Sequence, residues 1–480
     1  MRFIIQSFSF HVLPMRTRFP FKYGIASMSA LPHLFVLVHL EVNGRAVQGL
    51  SSEGLPPKWF TKDPDTLFEQ DLAEMLAVIK NAARIAQNAA ERPVGFFEWW
   101  QSVYEEQAGW ANIKEVPTLL ANLGTSLIER AVVDGLCKAA GKPLHQLVAG
   151  PALGINLGAV REELQGMSVA QAIPSTPLQR LNVRHTVGLG DPLRTVDIPV
   201  EEKLEDGLPH ALDESIRAYG LRYFKIKVCG KPEQDLARLR EITSVLVEGC
   251  GHDFHCTLDG NEQFQTLESF RDFYDTLAAE AALKPLFANL ILIEQPLHRA
   301  HALDDAVAVA FEVWKNGPAM IIDESDGSLS DLPRALLLGY RGVSHKNCKG
   351  VVKGLANAAL LKKRGLTLLS GEDLAGVGPV AMLQDLSMMA LLGITHVERN
   401  GHHYFKGISM YPDALQEQVL AAHGDLYHRH PNGFPSLAIR DGTLELGSVN
   451  SAPFGCGVTV DLEAYEPLNT WIKRGGMGEL

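Results

Sequence analysis

Thr257-Leu258-Asp259-Gly260-Asn261-Glu262, Ile291-Leu292-Ile293-Glu294-Gln295-Pro296 and Met320-Ile321-Ile322-Asp323-Glu324-Ser325 repeat one pattern, a short apolar run that ends in a carboxylate. Side chains alternate across a strand, so each run reads as a buried strand carrying its acid at the end. Further runs end at Gly188, Lys227, Lys346, Ser370 and Glu398, and helical stretches fill the intervals. From Lys227 onward the steps between run ends are 32, 35, 29, 23, 24 and 28 residues. A barrel of about 250 residues in eight strand–helix units needs about 31 per unit. The spacing therefore predicts an α/β protein, a modified (β/α)8 barrel of the TIM type spanning residues 149–440. A doubly wound sheet is the competing architecture, but no glycine-rich phosphate loop follows the first strand.

Outside that span the pattern differs. Leu34 to Val42 is β-rich and is followed by the tight-turn pair Asn43-Gly44, with a second strand expected at Ala46 to Leu50. Asp63-Pro64-Asp65 reads as a helix start, Leu67 to Ala89 has helical periodicity, and Thr118 to Ala140 forms another helix ending near Gly141. Gly457 to Leu462 reads as a strand returning to this module. Grouped strands followed by grouped helices predict an α+β capping domain built from residues 1–148 together with 441–480.

Composition narrows the function classes. The chain has 480 residues, 46% hydrophobic and 21% charged, as expected of a globular protein with a sizeable core. Its 44 basic against 56 acidic residues leave a net charge of −12, which argues against a nucleic-acid partner. An anionic substrate is still compatible, because a bound cation reverses the sign of a site locally. No run of about 18 apolar residues predicts a membrane span, and the opening Met1 to Phe8 reads as a strand rather than a signal peptide. The six cysteines are scattered without a CxxC pair, so neither a zinc site nor a disulfide framework is expected, and a cytoplasmic setting fits.

The chemistry lies at the run ends. A single acid at a strand end is ordinarily a cap or a surface residue. Three on successive barrel strands crowd together, and such like charges are costly unless a cation neutralises them. Oxygen-only ligands favour a hard ion, magnesium or also manganese. In Tyr223-Phe224-Lys225-Ile226-Lys227-Val228 the two lysines share one face and the apolar residues the other. In a barrel, Lys225 and Lys227 then point inward, where each cation is expected to lower the pKa of the other. In Val343-Ser344-His345-Lys346-Asn347-Cys348-Lys349-Gly350, Ser344 and Lys346 share the inward face, His345 packs outward, and Lys349 reads as a loop cation. The strand of Lys346 lies four after that of Lys227, so the two lysines face each other across the barrel mouth. Two bases on opposite faces of one carbon are what a 1,1-proton transfer requires.

This ordered set, Lys-x-Lys, Asp-x-Asn, Glu-Gln-Pro, Asp-Glu-Ser and a lysine before Lys-Gly, resembles the enolase superfamily. Within it the set is similar to the mandelate racemase and muconate lactonizing enzymes, and the paired lysines to the muconate lactonizing subgroup. The resemblance covers nearly the whole chain. Arg18 to Gly24 is similar to the segment before the family's mobile capping loop, and Asp134 to Leu147 to its helix and turn entering the barrel. It implies that Asp259, Glu294 and Asp323 hold Mg2+ (Mn2+ is also possible). It makes Lys227 and Lys346 the acid/base pair, with Lys225 aiding carboxylate binding and pKa tuning. The implied reaction is Mg-dependent abstraction of a proton α to a carboxylate through a metal-stabilised enediolate.

A racemase or epimerase, an isomerase, is the expected enzyme. The alternatives are a cycloisomerase or a β-elimination lyase, dehydratase or o-succinylbenzoate-synthase-like, using the same intermediate. A third reading is a non-catalytic barrel that binds a small molecule. The expected partners are a small-molecule carboxylate and further copies of the chain, with no nucleic acid and no membrane. Asn261, Ser344, Glu398 and Asn400, with the segments Gly24 to Met28 and Ser51 to Gly54, are the candidate substrate-binding residues. Thr395 to Asn400 lacks the Asp-x-Asp with which dipeptide epimerases hold a substrate amine, and Gly350-Val351 replaces the usual paired glycines. The stretch 153–183 reads as an insertion and 190–208 as a long charged loop.

Overall fold

The computed structural model describes residues 1–479. Three long antiparallel strands open the chain: β1 (Arg2–Tyr23), β2 (Ala26–Val42) and β3 (Arg45–Gly54). Asn43 and Gly44 both take positive φ in the turn between β2 and β3, as that tight hairpin demands. Three helices follow, α1 (Phe68–Ala89), α2 (Phe96–Ile113) and α3 (Thr118–Ala140). Helix α3 packs directly on β3. A Cβ on Gly49 would lie 2.0 Å from the carbonyl oxygen of Ala131, so only glycine permits this approach.

Eight parallel strands then close a barrel: β4 (Arg180–Val187), β5 (Tyr223–Lys227), β6 (His255–Asp259), β7 (Leu290–Glu294), β8 (Met320–Ile322), β9 (Gly342–His345), β10 (Leu368–Gly371) and β11 (His396–Arg399). Each pairs with the next in sequence, and β11 pairs back with β4 to complete the ring. Closure removes every exposed edge. Every run end read from the sequence falls within one residue of an observed strand end. In β5 the buried Phe224 and Ile226 occupy the face opposite to Lys225 and Lys227, as the alternation predicts. Lys227, Asp259 and Glu294 lie in register on adjacent strands.

The barrel mouth is covered by the tip of the first hairpin. The β1–β2 register shifts between Arg16 and Phe21, so Thr17 to Pro20 leave the ladder and the tip bends. Arg18, in that bulge, binds Asp206 at 2.6 Å and the carbonyl oxygen of His403 at 2.6 Å, tying the tip to the 190–208 loop and to the segment after β11.

Three local expectations are corrected. Helix α1 starts at Phe68, where the Gln70 side chain accepts the Leu67 N–H at 2.7 Å; Asp63 instead accepts the Asp65 N–H and makes a turn. Gly457 to Leu462 is not a strand, because Gly457 bonds to His423 and Asp461 caps a short turn at Leu462–Ala464. The return to the first sheet is made by Glu466 and Pro467 against Val12 and His11, while Thr443–Glu445 pairs with β4 of the barrel. The stretch read as an insertion, 153–183, contains short helical turns between 157 and 172, held to the barrel helix Val351–Lys363 by Arg161, which bonds to Asn357 at 2.6 Å, and from Arg180 it already belongs to β4. Among the described residues no helix is long and apolar enough to cross a membrane, and all six cysteines are unpaired.

Candidate active site

A cavity lies between the barrel mouth and the cap. Lys225, Lys227, Asp323 and Lys346 form its floor, Asn261, Asp373, Glu398 and Asn400 part of its wall, and Phe21, Tyr23, Met28 and Trp59 its roof. The expected tip segment is in place: a Cβ on Gly24 would lie 3.9 Å from the Cβ of Asn261. Ser51 to Gly54 is not part of the lining. Those residues are buried against α3, with Ser51 donating to the Leu127 carbonyl at 2.7 Å and Glu53 paired to Arg130 at 2.7 Å. Pro56 and Trp59, a few residues further along, reach the cavity instead.

Lys225 stands among four carboxylates. Its Nζ lies 3.0 Å from Asp259, 2.8 Å from Glu294, 2.5 Å from Glu372 and 3.1 Å from Glu398. Burial alone pulls this lysine's pKa down, but the four acids outweigh burial and hold it well above the ordinary lysine value. Mutual depression by paired lysines, expected from the sequence, therefore fails for Lys225. Lys227 donates to Asp259 at 2.5 Å. Across the mouth, Lys346 donates to Asp323 at 2.8 Å, and its Nζ sits 4.3 Å from the centre of the Trp59 ring.

Asp323 is held by two lysines. Burial raises its pKa, but Lys346 and Lys349 more than reverse this and keep it well below the carboxylate range. Lys349 is no loop cation: it is buried 3.0 Å from Asp323 Oδ1 and donates to Ser344 Oγ at 2.8 Å. The short 3-10 turn Asn347–Lys349 brings it back under the strand end. Ser344 donates to Asp323 and is fully buried, so it braces an acid rather than facing substrate. His345 packs outward against Gly354 of the following helix, and burial pushes its pKa down to about 3.

Glu372 and Arg184 were not singled out in the sequence. Glu372 lies two positions beyond Ser370 and so on the same strand face; it accepts from Ser370 at 2.5 Å and from Arg184. Arg184, wholly buried, also donates to the Gly371 carbonyl oxygen at 2.8 Å. Glu398 accepts from Thr186 at 2.8 Å. Asn261, Glu262, Gln295 and Ala375 all hold positive φ around the mouth, a strain that surrounding contacts must maintain. Arg299 supplies some of these contacts, binding Glu262 at 2.7 Å and the carbonyl oxygens of Trp59 and Phe60 at 2.9 and 2.8 Å.

The donor set suits a hard cation. Glu294 Oε2, Asn261 Oδ1 and Glu324 Oε2 are buried oxygens that accept no hydrogen bond among the described residues. Burial and the neighbouring charges of Asp259 and Glu372 push the Glu294 pKa well up, more than Lys225 offsets, so this acid is short of positive charge. Among the described residues no three acids yet surround one point, because Asp259 and Glu294 turn to Lys225 while Asp323 turns to Lys346 and Lys349.

No protein-family model matches the chain, and no curated protein does. Solved structures do. A mandelate racemase/muconate lactonizing protein from Herpetosiphon aurantiacus is 20% identical, with a TM-score of 0.60 over 95% of this chain and 99% of that one. This chain shares that protein's fold. A dipeptide epimerase from Enterococcus faecalis V583, solved with Mg and the dipeptide L-Leu-L-Tyr, is 17% identical, with a TM-score of 0.59 over 94% of this chain and 99% of that one. An N-succinyl Arg/Lys racemase from Bacillus cereus ATCC 14579 is 16% identical, with a TM-score of 0.57 over 94% and 98%. At such identities the likeness establishes the fold, and function has to be argued from the side chains of the site.

Proposed function

We propose that the chain is a member of the enolase superfamily and an Mg-dependent isomerase, which removes the proton α to a substrate carboxylate and returns one to the opposite face. The observation that carries this reading is the placement of Lys227 and Lys346. They line one cavity from strands four apart, and each is paired to a different strand-end acid. Lys227 takes or returns the proton on one face of the α-carbon and Lys346 on the other. Lys225, held protonated by its four acids, attracts the substrate carboxylate. Asp259, Glu294 and Asp323 are the residues that would hold Mg2+. Its charge would oppose the negative charge that develops on the substrate as the proton leaves. The roof of Phe21, Tyr23, Met28 and Trp59 keeps water from the reacting carbon and favours a compact apolar substituent there.

The test is proton exchange in deuterated water over N-acyl amino acids, dipeptides, hydroxy acids and sugar acids, with and without Mg2+. A racemase or epimerase washes deuterium into recovered substrate, whereas a cycloisomerase or lyase makes a new product. Mg2+ or Mn2+ should raise the melting temperature by mass action, and Asp259→Asn should abolish the rise. A wild-type protein indifferent to both ions and to chelator sinks the metal assignment.

A further inference from the structure

The four carboxylates around Lys225 are not equivalent. Glu372 is held from its other side by Arg184 and by Ser370 Oγ at 2.5 Å. Glu398 is held by Thr186 Oγ1 at 2.8 Å and by the Asp373 N–H at 3.1 Å. Both acids are braced by groups that no metal would disturb. Glu294 differs: among the described residues Lys225 is its single side-chain donor, and its Oε2, 2.8 Å from that ammonium, accepts no hydrogen bond. Asp259 has alternatives to Lys225, accepting from Lys227 at 2.5 Å and from the Asn261 N–H at 2.8 Å. One ammonium thus joins a braced pair, Glu372 and Glu398, to a pair that can be released, Asp259 and Glu294.

We infer that Lys225 is a displaceable stand-in for the divalent cation, and that Glu372 and Glu398 form the cradle that retains its ammonium when the ion takes Asp259 and Glu294. The physical need is plain. A buried ammonium stripped of its partners, or a buried carboxylate pair left facing each other, is strongly unfavourable. With the cradle in place, metal entry is an ion exchange in which neither kind of group is left unpaired. Lysine suits this role because its compact charge on a flexible stem shifts over a short distance, whereas the planar fork of arginine locks onto carboxylates two at a time. Glu372 is on this account a positioning residue that acts on the metal site through Lys225, and Arg184 fixes Glu372 in turn.

The inference rests on the metal reading proposed above, and the experiment separates the two. Calorimetric titration of Mg2+ and of Mn2+ into the full-length protein, without substrate, is compared for wild type, Glu372→Gln, Lys225→Met, the double variant and Lys225→Arg. Lys225→Met, freed of the competing ammonium, should bind the ion at least tenfold more tightly. Glu372→Gln should bind about tenfold more weakly, because Lys225 then leans on Asp259 and Glu294. In the Lys225→Met background that loss should shrink at least fivefold. Lys225→Arg keeps the charge and with it the pairing that supports folding; it should bind at least tenfold more weakly than wild type. An equal loss from Glu372→Gln in both backgrounds overturns the proposal, since Glu372 would then act on the ion through its own field. So does a Lys225→Arg protein with wild-type affinity. Wild type that binds neither ion refutes the metal reading and this inference together. Wild type that binds, with Lys225→Met no tighter, refutes the inference alone.

Discussion

The two lysines of the proposed proton transfer can be separated by single substitutions, because neither removal strands an acid. Without Lys346, Asp323 keeps Lys349 at 3.0 Å and the Ser344 hydroxyl. Without Lys227, Asp259 keeps Lys225 at 3.0 Å and the Asn261 N–H at 2.8 Å. The proposed ion ligands therefore stay ionised and in place in both variants, and what is lost is the base on one face. A positioned general base contributes about 10²–10⁴-fold, which corresponds to about 3–5 kcal/mol of barrier. Lys227→Ala should slow α-proton exchange of one enantiomer by that factor and leave the other within about tenfold of wild type, the part of the rate that does not depend on the missing base. Lys346→Ala should give the mirror result, and both should lose racemisation by at least about 10²-fold, since each full turnover needs both groups. The assay is the decay of the α-proton NMR signal in deuterated water, run on each enantiomer separately with saturating Mg2+. If both variants lose exchange with the same enantiomer, one lysine is the sole base, and the function moves toward cycloisomerisation or elimination.

Two further outcomes test the cap and the folded state. Arg299→Ala removes charged hydrogen bonds to Glu262 and to the carbonyl oxygens of Trp59 and Phe60; bonds of this kind contribute about 1.5–3 kcal/mol each. Amide exchange over residues 59–62 should accelerate by roughly 10–100-fold, the factor expected for the loss of one such bond, while the barrel core is unaffected; unchanged exchange there refutes the anchoring role. Burial pushes the His33 pKa down to about 3, with Arg130 adding to the effect. Below about pH 6.5 the unfolded chain takes up a proton that the folded chain refuses, so stability falls as the pH drops from about 6.5 toward 3. For His33 the loss amounts to about 2 kcal/mol at about pH 5. His33→Gln should make the fall in melting temperature between about pH 7 and 5 shallower, and an unaltered fall would contradict the assignment.

Much of the barrel could be read along the chain because its strands are short apolar runs broken by charge. A strand buried on its outer face must be apolar at alternate positions, and a charge at its end must face the mouth. Asp259, Glu294, Asp323, Lys227 and Lys346 were legible for that reason. Glu372 was not, because its run closes with Ser370 and Gly371, and the next inward position lies just beyond the run. Lys349 was misjudged because a 3-10 turn, invisible in the spacing, folds it back beneath Asp323. The cap contacts were the least legible. That Trp59 rather than Ser52 or Glu53 meets the cavity depends on how β3 packs on α3, which buries the nearer residues.

Alternation of polar and apolar residues is a local property, and so the amino-acid order alone specified the eight-strand barrel, its capping module and the identity of the strand-end acids and lysines. Which charges meet is not local. Lys225 contacts Glu372 and Glu398 across 147 and 173 residues of chain, and Arg18 reaches His403 across 385. Such pairings exist once the ring has closed and brought distant strand ends within a few ångströms of one axis. There, the cost of leaving any buried charge alone selects one arrangement among the many that the same residues could make in an open sheet.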